Sequence, residues 1–104
     1  MTPKISEASI QKSCLDLLRL KGWFVWKNSS VGIYRKDTGH YIPSSNAGSP
    51  DILAIKDGQF IGVECKTKYG KLSPKQLEWQ AEFARQKIKY LVIRSVDELM
   101  KIIK

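Results

Sequence analysis

Histidine occurs once and cysteine twice among the 104 residues, and acidic side chains are outnumbered by basic ones. Each shortage closes a route to function. A lone His40 beside the Gly39 turn leaves no Ser-His-Asp or Cys-His arrangement for nucleophilic catalysis. Cys14 and Cys65 are too few and too far apart for a zinc site of CxxC type, and their apolar neighbours mark them as small buried hydrophobes with free thiols. No GxxxxGK[ST] run is present, so ATP hydrolysis is not expected. No apolar run approaches the ~20 residues of a membrane span. The N-terminal MTPKISEASIQKSCLDLL is interrupted by Glu7, Gln11, Lys12 and Asp16 and does not read as a signal peptide. A cytoplasmic protein with no membrane partner is expected.

What is present is the composition of a soluble domain, 42% hydrophobic and 27% charged. A chain of this length is expected to form one domain over residues 1–104, burying roughly 60–70% of its unfolded surface. Eighteen Lys and Arg against ten Asp and Glu give a formal net charge of +8. The excess runs from Lys4 and Lys12 through Arg35 and Lys36 to Lys66, Lys68, Lys71 and Lys75. It favours a polyanionic partner, because each neutralised phosphate releases counterions.

Residues 5–20 place Ile10, Cys14, Leu17 and Leu18 on one face of an amphipathic helix. Thr2-Pro3 or Ser6 starts it and Gly22 ends it. GWFVWK reads as a strand. Residues 28–48 read as a flexible hairpin turning at Asp37-Thr38-Gly39, and Tyr34, Arg35, Lys36, His40 and Tyr41 mix aromatic and basic groups as nucleic-acid contacts do. His40 is readable as a proton shuttle, as a phosphate contact or as simply solvated. Residues 51–57 and 59–68 form two strands across the tight turn Asp57-Gly58. Ser73-Pro74 with Gln76 opens a second helix through a capping box, with Leu77, Ala81, Ala84 and Ile88 as its expected core stripe. KYLVIRS is a fourth strand, and a short helix capped by Ser95 closes the chain. The order αβββαβα predicts an α/β fold in which helices flank a four-stranded mixed sheet. Trp23, Trp26 and Trp79 are many large aromatics for so small a core, and one at an interface is as reasonable as all three inside.

The stretch SPDILAIKDGQFIGVECK carries the chemistry. Alternation along FIGVECK puts Gly62, Glu64 and Lys66 on one strand face. Counting back from the turn sets Asp51 nearly level with Cys65, so the two carboxylates approach at one end of the sheet. Such a pair repels unless a proton or cation lies between. A hard ion such as Mg²⁺ suits it, with the Cys65 backbone carbonyl as a third oxygen. Lys66 would orient or deprotonate a water held there, or stabilise charge growing on an attacked phosphate. For an isolated ExK triplet the commonplace alternative is a surface salt bridge.

Gly48-Ser49-Pro50-Asp51, Glu64-Cys65-Lys66 and Leu72-Ser73-Pro74-Lys75-Gln76 together resemble the VRR-NUC domain, the virus-type replication-repair nucleases of the PD-(D/E)xK superfamily. The resemblance implies a restriction-endonuclease-like core and Mg²⁺- or Mn²⁺-dependent cleavage of DNA phosphodiesters. By it, Asp51 and Glu64 match metal ligands and Lys66 the catalytic lysine. Glu7 matches a helix glutamate that completes the acidic cluster, directly or through water, and Gln76 a glutamine near the site. Glu7 is also readable as a solvated first-turn residue, and Gln76 as a capping-box partner alone. Stand-alone members look like phage or prophage products similar in build to archaeal Holliday-junction resolvases. That likeness implies branched DNA as substrate, a homodimer, and work in replication, recombination or repair. Arg35, Lys36, His40, Tyr41, Lys68, Lys71 and Lys75 are the expected DNA contacts. The competing expectation is a nucleic-acid-binding module that keeps the fold without catalysis.

Overall fold

The computed structural model describes residues 5–28, 33–42 and 46–103. Helix α1 (Glu7–Leu20) begins at Ser6, whose side chain accepts from the Ser9 amide at 3.1 Å. The Thr2-Pro3 alternative lies outside the described residues. The helix closes where Gly22 adopts φ +87° and the Trp23 amide reaches back to the Leu18 carbonyl. Strands β1 (Phe24–Lys27), β2 (Ile33–Arg35), β3 (His40–Ile42), β4 (Ile52–Lys56) and β5 (Gln59–Cys65) follow. Helix α2 (Pro74–Arg85), β6 (Lys89–Ile93) and α3 (Val96–Ile102) complete the order.

The main sheet has four strands in the order β1-β4-β5-β6, with β5-β6 its one parallel pair. This is the expected α/β architecture. Strands β2 and β3 pair only with each other, joining Arg35 to His40, and the hairpin packs on no other helix or strand of the described residues. Its flanking residues 29–32 and 43–45 lie outside the described residues.

Asp57 and Gly58 both take positive φ, 50° and 80°, the signature of a tight I′ hairpin turn. The turn pairs Lys56 with Gln59 and Ile52 with Val63. Continuing that register by one step sets Asp51 opposite Glu64 rather than Cys65, a one-residue correction to the count made from sequence. The correction places both side chains on the same face.

One sheet face carries the core. Ile52, Ala54, Ile61, Val63, Cys65 and Ile93 pack under Ile10, Cys14, Leu17 and Leu18 of α1 and Leu99 of α3. Cys14 and Cys65 meet there as buried free thiols within hydrogen-bonding reach of each other. The opposite face carries Trp26, Leu53, Phe60, Gly62, Glu64 and Tyr90, and α2 lies over β6 on that side.

Helix α2 is rotated from the orientation its Leu/Ala stripe predicted. Leu77 is 51% exposed, and Ala81 and Ala84 are exposed as well. Gln76, Trp79 and Phe83 turn inward instead, with ring contacts from Phe83 to Phe60 and Tyr90. Two aromatic rings bury more apolar surface than one leucine and two alanines, so the aromatic stripe wins. The three tryptophans divide accordingly: Trp23 is in the core, while Trp26 and Trp79 are half-buried on the α2 side.

Candidate active site

Pro50 starts the site. It is fully buried and has no amide to leave unpaired, and its carbonyl accepts from Asn28 Nδ2 at 3.0 Å. Asn28 also donates to Ser49 Oγ at 2.8 Å, while its backbone amide donates to the Asp51 carbonyl at 2.7 Å. The end of β1 thereby fixes the approach to β4. Gly62 makes this packing possible. A Cβ there would lie 2.5 Å from Pro50 Cγ and 2.9 Å from Phe83 Cε2. Gly48, at φ +94°, is similarly pressed against the first turn of α2, where a Cβ would meet the Lys75 carbonyl at 2.6 Å.

The half-buried Asp51 carboxyl accepts from the Cys65 amide at 2.8 Å through Oδ2. Across from it Glu64 is only 2% exposed. Gln76 Nε2 donates to its Oε2 at 3.1 Å, and the Tyr90 hydroxyl lies 3.3 Å from its Oε1 and 3.3 Å from the Gly48 carbonyl. Burial is the largest influence on Glu64, followed by the charge and hydrogen-bonding reach of Asp51. Together they push its pKa from 4.5 up to about 8, against the opposing pull of Lys66 and Tyr90. The Tyr90 phenol is pushed up as well, by burial and then by Glu64.

Lys66 is half-buried, and its amide donates to the Ile93 carbonyl. Because the peptide between Cys65 and Lys66 is trans, the Cys65 carbonyl points the opposite way, toward the Asp51 side. The loop after Lys66 is gathered by Arg94, which donates to the Thr67, Lys68 and Gly70 carbonyls at 2.6, 3.2 and 2.7 Å. Among the described residues the ion pairs are Lys12–Asp16, Arg35–Asp37, Lys75–Glu78 and Arg85–Glu82. None involves Asp51, Glu64 or Lys66, so the surface-salt-bridge alternative does not describe this motif.

The structure therefore brings Asp51, Glu64, Lys66, the Cys65 carbonyl and Gln76 to one end of the sheet. Gln76 serves twice: its Oε1 accepts from the Ser73 amide in the capping box while its Nε2 holds Glu64. Glu7 is not brought there. It is exposed in the first turn of α1, and no cluster of three His, Cys, Asp or Glu able to hold a metal forms among the described residues. Lys68, Lys71 and Lys75 are exposed on the loop and helix start beside the site, and Arg35, Lys36, His40 and Tyr41 are exposed on the separate hairpin. Tyr90, Asn28 and Arg94 were not singled out from sequence. Tyr90 had a faint signal, a polar-tipped aromatic in an otherwise apolar strand.

Residues 25–97 match the family model described as the VRR-NUC domain. A solved structure titled "VRR_NUC domain" is similar over 92% of this chain and 91% of its own, with a TM-score of 0.70 and 24% identity. No curated protein matches the chain. The matched span contains Asp51, Glu64, Lys66 and Gln76 and leaves out Glu7.

Proposed function

The chain belongs to the VRR-NUC domain family, whose fold is of nuclease type, and from that premise we propose that it is a Mg²⁺- or Mn²⁺-dependent DNA endonuclease. One observation carries the reading: Glu64 is buried against a second carboxyl at a cost that raises its pKa to about 8. A divalent cation relieves both the burial and the repulsion. Asp51, Glu64 and the Cys65 carbonyl are the oxygens that would hold it, and they fit Mg²⁺, which keeps several waters and takes one or two carboxylates. Bound there, the ion would supply Lewis-acid polarisation of the phosphodiester and a more acidic attacking water.

The chain's own residues do the rest. The Lys66 ammonium stabilises charge developing on the attacked phosphate. Gln76 and Tyr90 hold Glu64 in one orientation. Lys68, Lys71 and Lys75 beside the site, with Arg35, Lys36, His40 and Tyr41 on the hairpin, engage the DNA backbone. On resemblance alone the reading extends to branched DNA, a homodimer, and phage or prophage recombination or repair in a bacterial cytoplasm. Among the described residues no helix is long and apolar enough to cross a membrane.

Glu64→Gln and Lys66→Ala are each expected to abolish cleavage while leaving DNA binding largely intact. Mn²⁺ is expected to raise the melting temperature of the wild type and not of Glu64→Gln. A domain that only binds DNA would show neither the cleavage nor the metal-dependent stabilisation.

A further inference from the structure

A small hollow lies on the same side of the sheet as Glu64, lined in part by the two residues that precede Asp51. It holds about 310 Å³ between α2 and the sheet, walled by Phe60, Trp79, Phe83 and Pro50, with Asn28 and Ser49 on its polar side. Its aromatic rings meet at angles, Trp79 with Phe83 at 56° and Phe60 with Phe83 at 54°, and Phe83 and Phe60 also take edge contacts from Tyr90 and Trp26, which leaves Trp79 the ring most open to a further stack. Trp79 is held in place by its Nε1–H, which donates to the Ala47 carbonyl at 2.9 Å. Ser49 Oγ accepts from Asn28 at 2.8 Å, and a hydroxyl in that role still has a hydrogen to donate. The volume is at the small end of the ~300–1,000 Å³ of ligand pockets. It has room for one flat ring system.

We infer that this hollow takes a single unpaired nucleobase of the DNA, stacked on the aromatic wall and hydrogen-bonded at its edge to Ser49. Every base has a π-face, and unpaired bases are held on aromatic side chains in this way. Ser49 and Pro50 immediately precede Asp51 in the chain, so a base in the hollow keeps its own backbone beside the carboxyls. The charge of +8 supplies the attraction that brings a strand there. A base inside an intact duplex cannot enter without leaving its stack. The substrate class is therefore DNA with an unpaired base next to the cut. The inference rests on the nuclease reading for the identity of the polymer.

An abasic scan tests it. A splayed-arm DNA is made with the base removed at each position around the branch in turn, and its affinity for the full chain is measured in Ca²⁺. One position is expected where the loss weakens binding about 5- to 150-fold, the equivalent of the ~1–3 kcal/mol of one base–aromatic stack. In Trp79→Leu, or in Phe60→Leu if the first does not fold, that penalty is expected to shrink below about twofold. A flat scan in the wild type, or a penalty that persists in the folded variant, overturns the proposal. A wild type that shows the base penalty but cuts no DNA in Mg²⁺ or Mn²⁺ supports the hollow and sinks the nuclease reading. Cutting with a flat scan does the reverse.

Discussion

Burial gives Glu64 its chemistry. Its carboxyl, ordinarily at 4.5, is raised to about 8, so between these values the folded chain keeps a proton that the unfolded chain has released. Stability from this group is thus fully present below pH 4.5 and is lost as pH rises to about 8. The swing is on the order of a few kcal/mol. Urea midpoints measured with chelator are expected to fall from pH 5 to 8 in the wild type and to stay flatter in Glu64→Gln; parallel curves would contradict the assignment. Gly62 acts by what it lacks. Gly62→Ala is expected to cost about 1–3 kcal/mol, since its methyl group would press on Pro50 and Phe83. Asp51, Glu64 and Lys66 were legible because their spacing and the alternation of a strand suffice to gather them. Tyr90 was not, because it reaches Glu64 from a strand 26 residues further along, whose register only the folded sheet decides.

At the scale of elements, the caps at Ser73 and Ser95 and the turn at Asp57-Gly58 follow from local chemistry and occur where the sequence puts them. The rotation of α2 does not follow from local chemistry. Its Leu/Ala and Gln/Trp/Phe stripes are both helical in period, and the choice between them depends on what the sheet offers. The rotation has a direct check. Leu77→Ala is expected to change stability by less than about 0.5 kcal/mol. Phe83→Ala is expected to cost about 2–3 kcal/mol, short of the ~3–5 of a fully buried ring. Chemical denaturation of the two variants decides, and a reversed order would mean the helix faces the other way. The same helix ends with Lys87 at φ 62°, a left-handed residue that glycine occupies without strain. Lys87→Gly should therefore gain about 0.5–1 kcal/mol.

Over the whole molecule, the two faces of the sheet differ in what they carry. The face under α1 and α3 is sealed by aliphatic packing, and the face under α2 carries the carboxyls and the aromatic hollow. The larger cleft, about 830 Å³ around Trp23, Lys56 and Lys89, lies at the far end of the sheet. At ~3.3 Å per residue along β5 it is ~17 Å from Glu64, too far to share its chemistry. On the proposed reading, each phosphate that the basic side chains contact steepens the salt dependence of DNA binding. The most direct measurement is cleavage of labelled four-way junction, flap, splayed-arm and duplex DNA in Mg²⁺ or Mn²⁺, with wild type and Asp51→Asn side by side. The wild type is predicted to cut at least one of them, and Asp51→Asn to bind the same DNA while cutting it about 100-fold more slowly or worse. An Asp51→Asn protein that cuts as fast as the wild type would contradict the account.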